Sequence, residues 1–223
     1  MSVTLEQIAA EAAACPRCRL RETRTQVVFG VGHPHADLLF IGEGPGFHED
    51  KQGEPFVGAA GQLLNRMLSE IGLRREDVYI ANVVKCRPPG NRDPRPDEIE
   101  ACTPWLTEQI RLIDPRIVVT LGNFATRFIL DTKASISRVR GRRFDWRGRS
   151  VIPTFHPAAI LHGGGERSSA FRSLQADFAE IRRALDEPIV VPEAQPAEPA
   201  DRAGATGPAV AAEDPGSEQL GLF

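Results

Sequence analysis

Apolar positions follow two alternating rhythms along the chain. Leu5, Ile8, Ala9 and Ala12 share one helical face, and Thr4 with Gln7 fits a capping box, so a helix is expected over Leu5–Ala14. Short, nearly continuous apolar runs predict buried strands at Leu38–Gly42, Val78–Lys85, Arg116–Gly122 and Val151–Phe155. Between and after them the spacing becomes helical again. Gly61–Gly72 ends on a glycine, and Pro96–Ile113 carries proline and acids in its first turn. Asn123 to Leu130 and Ser169 to Leu185 complete the helices.

Strands alternating with helices predict an α/β fold, a mostly parallel sheet with helices on both faces. Ligands in such folds sit beyond the carboxyl ends of the strands. The polar and glycine-rich segments fall there. Gly42-Glu43-Gly44-Pro45-Gly46 follows the first strand, Asn82 and Cys86 lie in or after the second, and His156-Pro157 follows the fourth.

Composition narrows the class. The 223 residues, 41% hydrophobic and 26% charged, suit one globular domain with a tail. No apolar run approaches the ~18 residues of a membrane span. The start of the chain carries Glu6 and Glu11 and lacks a basic segment followed by an apolar block, so no secretory leader is expected. A cytoplasmic monomer without membrane contact is the expectation.

The net charge of −3 is unevenly divided. Residues 186–223 hold eight acids and one arginine, a charge of −7, which leaves residues 1–185 at +4. The first part is read as the domain. The second, rich in Ala, Pro, Gly and Glu, is read as a disordered acidic tail. A mildly basic body permits nucleic-acid binding without requiring it. Six arginines between Arg138 and Arg149 form a hairpin-like stretch that either meets phosphates or is simply solvated.

Four cysteines in a cytosolic chain point away from disulfides. Cys15-x2-Cys18, Cys86 and Cys102 could close an all-thiolate site for zinc or an iron–sulfur cluster. The competing reading is four buried free thiols. The glycine turn could hold an anionic oxygen on its N–H groups, or could be only a tight strand–helix connection. Taken singly, His156 and Phe56 are more often structural. Asn82 in a strand is either a structural hydrogen-bonder or a ligand reader.

Together the segments Gly42–Leu64, Asn82–Arg92 and Phe155–Leu161 closely resemble family 4 uracil-DNA glycosylases, bacterial and archaeal iron–sulfur enzymes of base-excision repair. The resemblance covers about Cys15 to Leu185. It implies a three-layer α/β/α sandwich with a central four-stranded parallel sheet. It also implies a [4Fe–4S] cluster on Cys15, Cys18, Cys86 and Cys102, and uracil-containing DNA as substrate.

By the same resemblance, Gly44, Pro45, Gly46, Phe56 and Asn82 bind the flipped base, and His156 bonds the leaving uracil at O2. The best-known uracil glycosylases carry an aspartate where Gly44 stands. Glu43 and Glu49 match acids of the family motif and are the candidates for positioning water, with Glu43 favoured. The segment after His156 resembles a DNA-inserting loop, with Leu161, Ile160 or His162 as its wedge. The alternatives are a non-catalytic iron–sulfur nucleic-acid-binding module and a glycosylase of wider deaminated-base specificity.

The chain ends in Gln219-Leu220-Gly221-Leu222-Phe223, which resembles the peptide by which bacterial repair proteins dock on the sliding β-clamp. Gln219, Leu220, Leu222 and Phe223 would make that contact.

Overall fold

A computed structural model describes residues 3–188. The chain divides into a compact unit, Met1–Pro188, and a second unit, Ile189–Phe223. The second, with the acidic tail and the QLGLF ending, lies outside the described residues. Among those described, no helix is long and apolar enough to cross a membrane.

The four expected strands appear as β2 (Leu38–Gly42), β3 (Tyr79–Asn82), β4 (Ile117–Leu121) and β6 (Arg149–Thr154). They run parallel in the order β3-β2-β4-β6. The sheet has six strands, however, not four. β1 (Val31–Gly32) and β5 (Phe144–Trp146) pair antiparallel at its two edges. Both are short and none of their residues is buried, so neither leaves an apolar run in the sequence. The β5–β6 hairpin turns at Arg147 and Gly148, both with positive φ (54° and 74°), as a tight two-residue hairpin turn needs.

Alternation along the strands builds a core on each face. Leu39, Ile41, Val118 and Val151 face α1 (Leu5–Ala13), α4 (Pro96–Ile113) and α5 (Gly122–Leu130). Leu38, Phe40, Val119 and Ile152 face α3 (Ala59–Glu70) and α8 (Ser169–Asp186). The result is the expected three-layer α/β/α arrangement. The expected capping box forms: Thr4 accepts from the Gln7 N–H, and the Gln7 side chain accepts from Thr4 N–H.

The second strand ends at Asn82, before the expected Lys85, but its backbone stays paired. Val83 and Val84 donate to the carbonyls of Gly42 and Glu43 (2.9 and 3.0 Å). That pairing fixes the turn after β2 against the chain leaving β3.

The arginine stretch does form a hairpin, but three of its cations are engaged internally. Arg140 pairs with buried Asp177, Arg143 with Glu180 and Glu187, and Arg149 with Asp114. Each of these three therefore has an acidic partner within the described residues.

Candidate active site

The carboxyl ends of β2, β3 and β6 open into a cavity of about 590 Å³. Glu43, Gly44, Pro45, Gly46, Glu49, Phe56, Asn82 and His156 all line it. Residues distant in sequence therefore meet where the strand-end rule places a ligand.

Asn82 ends β3 opposite Gly42, its register partner at the end of β2. The side chain is buried and its Oδ1 has no hydrogen-bond partner. An unpaired buried carbonyl costs roughly 1–3 kcal/mol, which a bound donor would recover. Gly42 makes room for it. A Cβ there would lie 2.4 Å from Asn82 Oδ1 and 2.7 Å from Phe56 Cζ.

Phe56 is buried and holds φ at 54°, a left-handed conformation unusual for an aromatic residue. Its surroundings enforce this. Arg75 donates to the Phe56 carbonyl (3.3 Å) and to that of Pro55. Gly61 of α3 packs so closely that a Cβ would lie 1.8 Å from the Phe56 carbonyl oxygen. Glu49, in α2 (Phe47–Gln52), anchors the same loop. Its Oε1 accepts from the N–H groups of Val57 (3.0 Å) and Gly58 (3.1 Å).

His156 caps α7 (Pro157–His162). Its Nδ1 accepts from the Ala158 N–H (3.1 Å). In the neutral ring the proton must then sit on Nε2, leaving that nitrogen as a donor. Burial pushes the pKa of His156 down to about 4, against a smaller opposing pull from Glu49. The imidazole is therefore uncharged at neutral pH. Gly122 leaves space behind it, since a Cβ there would lie 3.0 Å from His156 Cβ.

Glu43 is half-buried beside the cavity. Desolvation raises its pKa, with the charge of Asp93 adding to the effect. Gly44 leaves little room for a side chain, because a Cβ would stand 2.7 Å from Val84 Cγ2.

The segment after His156 starts as the helix α7 and turns at Gly163 and Gly164. Ile160 is buried in the core, which removes it as a wedge. Leu161 is exposed, and His162 lines the cavity. The sequence reading missed Asp93 and Asn91, which complete the cavity wall. Arg92 lines the wall too, but it grips buried Glu98 through two contacts of 2.6 and 2.8 Å. The signal available for these residues was their place in the loop between Cys86 and α4.

The four cysteines share one neighbourhood. Arg24 donates to Cys86 Sγ (3.4 Å) and to the Cys15 carbonyl (2.9 Å). Trp105 Nε1 donates to Cys15 Sγ (3.3 Å), and the Lys85 backbone N–H donates to Cys102 Sγ (3.2 Å). Burial pushes the Cys86 thiol up to about 11 and raises Cys18 and Cys102 as well. Among the described residues no three His, Cys, Asp or Glu side chains group closely enough for a single metal ion. Three of the four sulfurs accept from N–H donors, contacts of the kind that also support metal-bound thiolates.

Residues 29–179 match the family described as the Uracil DNA glycosylase superfamily. The chain is 48% identical over 188 residues to the type-4 uracil-DNA glycosylase of Sulfurisphaera tokodaii, covering 80% of this chain and 84% of that protein. It is 49% identical over 178 residues to the type-4 enzyme of Thermotoga maritima, covering 79% and 91%. Similarity to the type-5 uracil-DNA glycosylase of Thermus thermophilus is lower, at 35% over 116 residues, covering 45% and 52%.

Proposed function

We infer the activity from one premise: this chain belongs to the uracil-DNA glycosylase superfamily. It is a DNA N-glycosylase that hydrolyses the bond joining uracil to deoxyribose, leaving an abasic site for repair. The observation that carries the assignment to this cavity is the buried, unpartnered Oδ1 of Asn82.

The base must leave its stack to enter the cavity, at a cost of roughly a few kcal/mol. Phe56, held rigidly by its left-handed backbone, offers an aromatic face to the ring. Asn82 Oδ1 accepts from uracil N3–H, and its amide N–H donates to O4. Cytosine presents the opposite pattern and would leave both groups unpaired.

As the glycosidic bond breaks, negative charge collects on uracil O2. Neutral His156 donates to that oxygen from Nε2, aided by backbone N–H groups of the Gly44–Gly46 turn. Glu43 positions the attacking water and offsets the developing positive charge on the sugar. Glu49, with one oxygen bound to Val57 and Gly58, positions the Phe56 loop.

Cys15, Cys18, Cys86 and Cys102 would hold a [4Fe–4S] cluster. Such a cluster supplies a covalent cross-link between the start of the chain and α4, with no redox step in the hydrolysis. The loop from Cys86 to α4 also lines the cavity, so the cross-link stiffens one wall of the site. Docking on the sliding β-clamp through Gln219, Leu220, Leu222 and Phe223 is part of the proposal on the strength of the motif alone.

The deciding experiment is uracil release from a labelled oligonucleotide, without added nucleotide or magnesium. Free uracil and an abasic product are expected. DNA binding with no base release would overturn the assignment in favour of a non-catalytic binding module.

A further inference from the structure

Among the described residues Phe47 is the exposed large aromatic, with 44% of its surface open. It directly follows Gly46 of the cavity wall and begins α2. Lys51 Nζ lies 4.5 Å from its ring centroid and the Arg87 guanidinium carbon 5.1 Å. Arg87 also donates to Asn91 Oδ1 (2.7 Å), so it stands beside another residue of the cavity wall. Unlike Arg140, Arg143 and Arg149, neither of these cations forms an ion pair among the described residues.

We propose that Phe47, flanked by Lys51 and Arg87, is a second DNA subsite: a stacking platform for the nucleotide next to the extrahelical uridine. This proposal rests on reading the cavity as the uracil pocket. In the free protein both cations lie over the ring; a nucleotide, which presents a flat π-face and a phosphate close together, would take the ring while its phosphates hold the displaced cations. Every base has such a face, so the contact tolerates any neighbouring sequence. The two cations meet the phosphates on either side of the stacked base. In a duplex the neighbouring base keeps its own stacking partners. In a single strand it is free to take the ring, so the platform acts chiefly on single-stranded substrate.

The test uses the full chain and an oligonucleotide carrying a non-cleavable 2′-fluorinated deoxyuridine, with affinity read by fluorescence anisotropy. Phe47→Ala should weaken single-strand binding about tenfold, the scale of one lost base–aromatic stack. Phe47→Trp should restore it. Inhibition by free uracil should be unchanged in both variants, because the base pocket itself is untouched. Single-strand affinity equal to that of the unmodified protein overturns the platform. So does an equal loss of affinity for free uracil, which would assign the ring to holding the two cavity loops together. If the unmodified protein releases uracil while Phe47→Ala binds normally, the platform alone fails. If the unmodified protein releases no uracil, the glycosylase reading fails and the platform with it.

Discussion

The imidazole of His156 stacks on the ring of Phe56, with 5.5 Å between centroids and 28° between planes. The first residue caps α7 just beyond β6, and the second lies in a loop one hundred positions earlier in the chain. Their contact joins the face that receives the base to the group that bonds its leaving oxygen. It also shields the imidazole from water, the main cause of its low pKa.

That low pKa predicts a pH dependence of stability. The unfolded histidine titrates near 6.5 and the folded one near 4. Between these values the unfolded chain takes up a proton that the native state refuses. The stability contribution is therefore complete above about pH 6.5 and declines as pH falls toward 4. Urea midpoints of the unmodified protein should drop between pH 7 and pH 5, and those of His156→Asn should drop less. Parallel curves would show that His156 is not buried as a neutral ring.

His156→Ala should reduce uracil release by about 10²–10³-fold, as expected for one lost donor to a developing anion. Activity within a few-fold of normal would remove His156 from the O2 position.

Asn82→Ala separates function from stability. It removes the reader of uracil, so turnover should fall strongly. It also removes a buried carbonyl that has no partner in the free protein, so the melting temperature should hold or rise. A marked fall in melting temperature would mean that Asn82 is a structural hydrogen-bonder.

Gly61→Ala should destabilise the fold by about 1–3 kcal/mol, because the new methyl would overlap the Phe56 carbonyl. Equilibrium unfolding measures this directly. Unchanged stability would show that α3 can shift away from the Phe56 loop.

Cys102→Ser should cost iron and colour. The unmodified protein should carry about four irons and matching sulfide, as expected for a four-cysteine cubane site. Stoichiometric zinc with no sulfide after anaerobic purification would contradict the cluster.

Much of this protein was legible in its sequence, because local pattern carries local structure. Buried parallel strands must be continuously apolar, so Leu38–Gly42 and Arg116–Gly122 announced themselves. Helix α4 was marked at its start by Pro96, Asp97 and Glu98. The cavity residues were found through the resemblance of three sequence segments to a known family, since taken singly Phe56 and His156 look structural. The tertiary structure decided what no local pattern contains. The edge strands β1 and β5 exist because neighbouring strands offer them unpaired backbone, not because their own residues favour burial. Ile160 and Leu161 are equally apolar and adjacent, yet only Leu161 faces out, since the rotation of α7 is set by its packing against the core. Arg92 and Arg140 look as available for phosphate as Arg87. Their partners Glu98 and Asp177 come from other elements, and only folding brings those charges together. The neutrality of His156 has the same origin: its proton affinity is set by the neighbours that exclude water, not by its own chemistry.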